Sequence, residues 1–367
     1  MEEIPWIAEG ATVLGAGGGG SAYHGTLALR RHMRLGARVT VLHAAEVADD
    51  ALGPVVGGMG APTVGMERLA TSGRWRALIE GVRAAAGRVD FVAIGEIGGG
   101  NAITPLVAGA ECGLPVVDAD PMGRAFPELQ MDAYSIGGIR PAPLLLSDGK
   151  GVVASLLNVP DPVTAERYAR ALTWAMGGSA GLAMGMVTGA DVRRLGIAGT
   201  LSLAEAIGRA MDGARRRKRA AVEAIFDVVP GGRHLFKGKI VDVARRTVAG
   251  FARGTIALAG LGASAGERLE VDFQNEYLIA RRRHGDDVSV ALTVPDLLVL
   301  VEQETGRAIG SEAVRYGLRV DVLGLPAACE VKTARALEVV GPRAFGYDVD
   351  FQPLPGDLLD RSARAVS

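Results

Sequence analysis

Several residue types are scarce in this chain, and each shortage excludes a class of protein. Only two of the 367 residues are cysteines, Cys112 and Cys329, too few for a disulfide framework, so a reducing cytoplasm is the expected location. The formal net charge of -1 argues against a general polyanion binder. Aromatic residues make up 5% of the chain and are absent from its two arginine-rich runs, 215–219 and 281–283. We therefore expect no nucleic-acid partner.

Targeting segments and long apolar runs are also scarce. The N-terminal residues 1–10 lack the basic and apolar regions of a signal peptide. Residues 171–190 carry no charge over a length that could span a bilayer, but they include five glycines and several polar residues. We predict that this stretch is a buried glycine-rich segment, and we expect no membrane association.

Histidine is represented by five residues, and no His-x-x-x-His or His-Glu-x-x-His pattern occurs. A zinc site built within one element is therefore not expected, although ligands from distant segments stay an open alternative. His24, which lies beside a glycine-rich loop, is the histidine of most interest as a metal ligand.

Glycine is abundant, with 52 residues. In the first 225 residues, glycine-rich turns separate predicted strands and helices that alternate along the chain. This alternation predicts an α/β N-terminal domain with a mostly parallel sheet and Gly-rich loops. The predicted helices cover 4–14, 21–35, 75–86, 102–112, 162–176 and most of 201–226. The predicted strands cover 39–43, 91–94, 115–117, 152–157 and 182–188.

The pattern changes after Pro230, where short alternating apolar and polar runs are separated by glycine-rich turns. Such runs are typical of antiparallel strands. We therefore predict two domains, an α/β domain over residues 1–225 that carries the site and a β-rich domain over residues 226–367. The last segment contains proline and little periodicity, and it could pack back on the first domain.

The first glycine-rich loop, residues 14–25, formally matches G-x-G-x-x-G through Gly15, Gly17 and Gly20. A dinucleotide site requires a strand before this loop, but the preceding residues have a helical pattern, and the next acidic residue, Glu46, comes late. NAD is therefore not expected. Bare amides before a helix can still bind a carboxylate, an oxyanion or a phosphate, or the loop could be a tight structural turn.

Acidic residues follow two predicted strands. Asp118 and Asp120 come after strand 115–117, and Glu96 comes after strand 91–94, in a second glycine-rich turn with Asn101 at the helix N-cap. Because ligands bind beyond the carboxyl ends of parallel strands, we expect these residues on one rim. The carboxylates could bind a metal ion or divide general acid and base roles, or Arg124 and backbone amides could simply satisfy them.

A fourth glycine-rich segment, residues 57–69, is predicted to be a turn and contains Glu67. Glu67 is typical of an acidic residue in the first turn of a helix, which is a stabilising position. We keep Glu67 as a secondary candidate for the site.

Several motifs, in order, resemble one known family: LGAGGGGSAY, PVVDADPMGRAFPELQM, LFKGKI, FQNEYLIA, TVPDLL and GPRAFGYD. This is the DUF917 family, also called the S-methyl thiohydantoin desulfurase-like family, whose members are associated with hydantoinase/oxoprolinase proteins. The resemblance covers residues 8–350. It implies a catalytic set of Glu96, Asp118, Asp120 and Arg124. It also implies substrate contacts from Gly17, Gly18, Gly19, Gly20, Tyr23, Glu67, Asn101, Glu128, Asn275, Glu276 and Asp296; His24 lies outside the family pattern.

The resemblance implies a hydrolase or desulfurase that acts on a small cyclic amide of the hydantoin or S-methyl-thiohydantoin type. A carboxylate would activate water directly or hold a divalent metal, and amides of the first glycine loop would stabilise the developing anion. Arg124 would bind a substrate carboxylate or hold Asp120 in place. The alternative is a non-catalytic ligand-binding or accessory subunit of a hydantoinase/oxoprolinase-type system, and either function is compatible with a homo-oligomer or a partner subunit.

Overall fold

The computed structural model describes residues 2–61, 64 and 73–355, so Glu67 lies outside the described residues. The described α-helices are α1 (Glu3–Leu14), α2 (Ala22–Arg34), α3 (Arg74–Ala86), α4 (Gly99–Cys112), α5 (Ala133–Ile136), α6 (Pro162–Ala175), α7 (Gly189–Leu195), α8 (Thr200–Arg216), α9 (Ala221–Val228) and α10 (Ala334–Val340). Short 3₁₀ helices cover Ala44–Glu46, Gly262–Ser264, Cys329–Lys332 and Pro342–Phe345.

Eight of the described strands belong to the N-terminal half: β1 (Val41–His43), β2 (Leu52–Gly60), β3 (Ala93–Ile94), β4 (Val116–Asp120), β5 (Leu144–Ser147), β6 (Val153–Leu156), β7 (Ser179–Thr188) and β8 (Ile197–Ala198). Seven belong to the C-terminal half: β9 (Arg233–Val248), β10 (Phe251–Gly260), β11 (Arg268–Gln274), β12 (Glu276–His284), β13 (Asp287–Thr293), β14 (Leu297–Glu302) and β15 (Arg319–Leu325).

The N-terminal strands form two small sheets, with strand orders β3-β2-β7-β5-β6 and β1-β4-β8. The pairs β2–β3 and β1–β4 are parallel, whereas the pairs formed by β7, β5, β6 and β8 are antiparallel. The prediction of a mostly parallel sheet is therefore wrong for the described strands. The reason is that β7 returns between β2 and β5, and a buried strand has the same sequence pattern in either direction.

The C-terminal strands form one antiparallel sheet with the order β13-β12-β11-β10-β9-β15-β14. The sheet curls so that its two end strands, β13 and β14, approach each other. Along β11, Leu269, Val271 and Phe273 are buried on alternate positions, as a sheet with one covered face requires. The predicted β-rich C-terminal domain is confirmed.

Glycines allow the first helix to reach its neighbour closely. A Cβ atom on Gly10 of α1 would lie 1.8 Å from the carbonyl oxygen of Ala204 in α8, and one on Gly208 would lie 1.9 Å from the carbonyl oxygen of Trp6. No side chain fits at either distance, so the α1–α8 crossing depends on two glycines. This crossing fixes the C-terminal end of α1, from which the first glycine loop leaves.

Three predictions from the sequence can be compared with the structure. The helix predicted before the first glycine loop is confirmed as α1, so the loop connects two helices. The predicted turn at residues 57–69 is wrong in its first part, because residues 57–60 belong to β2. Residues 171–190 form the end of α6, a turn, β7 and the start of α7. Within the described residues, every helix is too short or too polar to cross a bilayer.

Candidate functional site

A cavity of about 240 Å³ lies where the first glycine loop, β2, the start of α4 and the start of β12 meet. Both halves of the chain contribute to its wall. Its polar lining includes the following residues that the sequence singled out: Gly19, Gly20, His24, Glu96, Asn101, Glu128, Asn275 and Glu276. The structure thus brings part of the predicted site together across the two halves.

The first glycine loop is clamped against the C-terminal half. The carbonyl of Ala16 accepts from the N–H of Tyr277, and the carbonyl of Gly17 accepts from the N–H of Ser311, each at 2.7 Å. A Cβ on Gly17 would lie 2.7 Å from the Tyr277 ring, and Gly17 has a φ of +92°, so glycine is required there twice over. The loop is therefore a structural clamp as well as a wall of the cavity.

Two backbone amides of the same loop have no acceptor in the described part of the chain. Gly20 and Ser21 precede α2, and within the described residues their N–H groups have no protein acceptor. Both residues line the cavity. Unpaired N–H groups at the start of a helix favour a negatively charged ligand atom, so this wall suits an oxyanion.

Glu96 also lines the cavity, from the second glycine-rich turn, which packs against the first glycine loop. Its Oε1 accepts from Asn101 Nδ2 at 2.5 Å, and its Oε2 accepts from the N–H of Phe126 at 3.2 Å. Burial raises the pKa of Glu96 to about 7, although these two hydrogen bonds act to lower it. Glu96 is therefore able to accept or release a proton near neutral pH.

Asn101 orients Glu96 and does not cap the helix as predicted. Helix α4 begins at Gly99 with Gly98 as its N-cap, so Asn101 lies inside the first turn. Its side chain also donates to the carbonyl of Gly58 and accepts from the N–H of Gly58, at 3.2 and 2.7 Å. Asn101 thus ties Glu96 to strand β2, and the glycine-rich end of β2 lets it approach.

Glu276 enters the cavity from the C-terminal half. It is 2% exposed, and its Oε2 has no hydrogen-bond partner. Burial raises the pKa of Glu276 well above its usual range, and the nearby Glu96 raises it further. The preceding residue, Asn275, has a φ of +60°, and its Oδ1 accepts from the N–H of Ala252 at 2.9 Å. Asparagine tolerates this left-handed conformation, which turns Glu276 toward the loop.

Asp118 and Asp120 are buried at the end of β4, but neither lines the cavity. Asp118 caps α8: its carboxylate accepts from the N–H of Leu201 at 2.7 Å and from Ser202 Oγ at 2.5 Å. Asp120 accepts backbone N–H groups from the glycine turns, those of Ile97, Met122 and Gly123. Burial raises the pKa of Asp120 to about 7. The expected common rim therefore includes Glu96 and Asn101 without these aspartates.

Arg124 is fully buried and joins the two halves. Its guanidinium donates to the carbonyls of Pro295, Asp296 and Tyr277 at 2.8, 2.9 and 3.3 Å, and to the carbonyl of Ala125 at 2.9 Å. Burial lowers its pKa to about 10, and the nearby carboxylates of Glu276, Asp296 and Glu96 oppose that shift. Arg124 therefore remains charged at neutral pH and does not line the cavity.

The other residues predicted to contact the substrate have different positions, and some do not line the cavity. Asp296 holds the C-terminal segment, because its carboxylate accepts from the N–H groups of Ala327 and Leu354 at 2.9 and 3.1 Å. Glu128 accepts from Gln274 and Gln130, at 3.2 and 2.6 Å, on the cavity wall. Tyr23 is 66% exposed on α2 and lies outside the cavity lining. The backbone of Gly18 packs closely against the side chain of Glu276.

A metal site finds little support in this arrangement. Among residues 2–61, 64 and 73–355, no group of three or more His, Cys, Asp and Glu side chains is placed to hold a metal ion. The aspartates proposed as ligands, Asp118 and Asp120, use their oxygens on backbone and hydroxyl donors. His24 lines the cavity without joining them.

Sequence reasoning missed Arg170, which lines the cavity from α6. Its guanidinium pairs with Glu166 at 2.7 Å, donates to the carbonyl of Pro127 at 2.9 Å and lies 4.1 Å from the centre of the Phe251 ring. In the sequence, Glu166 and Arg170 form an i,i+4 pair, which is typical of an exposed helix face. No local signal distinguishes this buried pair from a surface one.

Comparisons with known proteins identify the family. A crystal structure of a protein from Chromobacterium violaceum is similar to this chain, with 25% identity and a TM-score of 0.78, over 96% of this chain and 98% of that one. No curated protein matches. Residues 2–158 match the S-Me-THD-like N-terminal domain, and residues 160–354 match the S-Me-THD-like C-terminal domain. The chain therefore belongs to the S-Me-THD-like family, which confirms the resemblance found in the sequence.

Proposed function

We propose that the protein is a hydrolase that acts on a small cyclic amide of the hydantoin or S-methyl-thiohydantoin type. Family membership supports a hydantoin-related function in general terms. The observation that carries the specific proposal is one cavity lined both by Glu96 and by Gly20 and Ser21, whose N–H groups have no acceptor among the described residues. A volume of about 240 Å³ is smaller than the roughly 300–1,000 Å³ of sites for drug-sized ligands, and it suits a single small ring.

In this mechanism Glu96 takes a proton from a water molecule, which attacks the ring carbon. Asn101 and the N–H of Phe126 hold the carboxylate in position for that transfer. Negative charge that develops on the ring heteroatom is stabilised by the N–H groups of Gly20 and Ser21. Asp118, Asp120 and Arg124 act as positioning residues, because each one fixes a turn or a strand end that forms the wall.

The direct test is turnover of a panel of hydantoins and S-methyl-thiohydantoins, with released thiol and ring-opened product measured separately. We expect Glu96→Gln to lose about 10²–10⁴-fold in turnover, the usual contribution of a general base. The exposed Glu304→Gln is the matched control and should keep full activity. Full activity of Glu96→Gln would refute the role of Glu96.

The pH profile offers a second test of the same role. Because the base must be ionised, kcat/KM should rise as pH increases through an apparent pKa of about 7. Glu96→Gln should lose this limb. If the wild-type protein turns over no member of the panel and instead co-purifies with a hydantoinase-type subunit, the accessory-subunit alternative replaces the hydrolase.

A further inference from the structure

We propose that Glu276 is the proton donor to the leaving atom of the substrate, and that it shares one proton with Glu96 across the cavity. This assignment rests on the proposed hydrolase function and adds a second, opposite role to it. The family resemblance implied only a substrate contact for Glu276.

The two carboxyl groups have different hydrogen-bond surroundings. Each oxygen of Glu96 accepts a hydrogen bond, from Asn101 and from the N–H of Phe126, and such bonds favour the ionised form. Glu276 Oε2 is buried and has no partner, although the residue lines the cavity. A buried carboxyl oxygen without a donor favours the protonated form, and protonation makes it a hydrogen-bond donor.

The local charge balance leads to the same assignment. The charged side chains that act on Glu276 are Glu96 and Arg124, and the N–H of Gly19 also faces its carboxylate. Arg124 is shared with Asp296, which is in turn paired with Lys332 at 3.7 Å. With Asp296 paired to Lys332, Arg124 is shared between Glu96 and Glu276, and Asp120 adds negative charge beside Glu96. This balance favours a proton on one of these two carboxyl groups.

The proton balance of the reaction is complete with this pair alone. Glu96 accepts a proton from water as the hydroxyl oxygen bonds to the ring carbon. The bond from that carbon to the ring nitrogen, or to the methylthio sulfur, then breaks, and the leaving atom takes the proton of Glu276. The proton on Glu96 returns to Glu276 and restores the starting state, so each turnover consumes one water.

Two measurements on the full-length protein test the assignment. The first is infrared difference spectroscopy at neutral pH of the wild type against Glu276→Gln, with Glu96→Gln and the exposed Glu304→Gln as controls. We expect a carboxylic-acid carbonyl band that disappears in Glu276→Gln and persists in Glu304→Gln. If the spectra of the wild type and Glu276→Gln show the same carboxylic-acid band, the assignment is overturned, whatever the protein's activity.

The second measurement compares leaving groups. Glu276→Gln should lose about 10²–10⁴-fold in kcat on an S-methyl substrate, whose thiolate leaves poorly without a proton. On an S-(4-nitrophenyl) analogue, whose thiolate leaves readily, the loss should be within about tenfold, whereas Glu96→Gln should slow both substrates. An equal loss by Glu276→Gln on both substrates would show a merely structural role. If the wild-type protein turns over none of the substrates, the hydrolase proposal is refuted. The infrared band still tests separately whether Glu276 holds the proton.

Discussion

Replacing Gly18 with alanine should show how tightly the first glycine loop and Glu276 are coupled. A Cβ on Gly18 would lie 1.8 Å from Glu276 Oε1 and 2.5 Å from its Cγ. Ordinary contact begins at 3.4 Å, so the carboxylate must move by about 1.6 Å or the loop must shift. Overpacking of this kind costs about 1–3 kcal/mol in the free energy of unfolding.

The destabilising effect of Gly18→Ala should disappear once Glu276 is truncated. In a Glu276→Ala background the contacted atoms are gone, and Gly18 has no left-handed φ that would penalise a side chain. Gly18→Ala should then be neutral or stabilising by up to about 1 kcal/mol, because alanine restricts the unfolded chain. The coupling energy of the double-mutant cycle is therefore about 1–4 kcal/mol, measured by urea unfolding of the four proteins.

Gly20 provides the matched control for this cycle. A Cβ there meets nothing within 4 Å, but its φ of +73° is strained for alanine. Gly20→Ala should cost about 1–2 kcal/mol in both backgrounds, with no coupling to Glu276. A Gly18→Ala cost that is the same with and without the Glu276 side chain would refute the proposed contact.

Three further predictions concern buried charges. Arg124→Met should lower the free energy of unfolding by about 3–5 kcal/mol in urea titrations, because it removes the donor to carbonyls of both halves and the cation beside Glu276, Asp296 and Glu96; a cost below about 1 kcal/mol would contradict the linking role. Asp118→Ala should cost about 1–2 kcal/mol and increase hydrogen exchange in the first turn of α8, since it removes the cap. Asp120 has a pKa of about 7 when folded against 3.8 for a free aspartate, so its contribution to stability is full below about pH 4 and is lost as pH rises through 7. Asp120→Asn should flatten that fall, which amounts to at most about 4 kcal/mol; an unchanged slope would show that the carboxyl stays ionised.

The sequence predicts the helices of this protein well and the direction of its strands poorly. An amphipathic pattern or a loop boundary identifies α1, α2 and α6 within a residue or two, because helix contacts are local. The end of strand β2, residues 57–60, is predicted to be a turn because glycines are unusual in a strand. The structure gives the reason at Gly58: a Cβ there would lie 3.1 Å from Asn101 Oδ1, so this glycine makes room for a site residue.

The site itself was predicted in its composition but not in its connections. Asp118 and Asp120 lie two residues apart and look equivalent in the sequence. The structure identifies Asp118 as a helix cap, because it accepts from the N–H of Leu201, 83 residues away in the chain. The pairing of Glu96 with Glu276 depends in the same way on contact between distant segments. Local patterns carry no information on such contacts, whereas the family resemblance named both residues.

Strand β7 has a consequence for how this chain could be divided. The matched family domains meet at residues 158 and 160, yet β7 lies at residues 179–188, between β2 and β5 of the N-terminal sheet. A fragment that ends at residue 158 would lack this strand and expose two unpaired sheet edges, the usual starting point of aggregation. Gene fission between the matched domains would therefore require the second fragment to complete the sheet of the first. The two halves are best regarded as complementing parts of one folding unit.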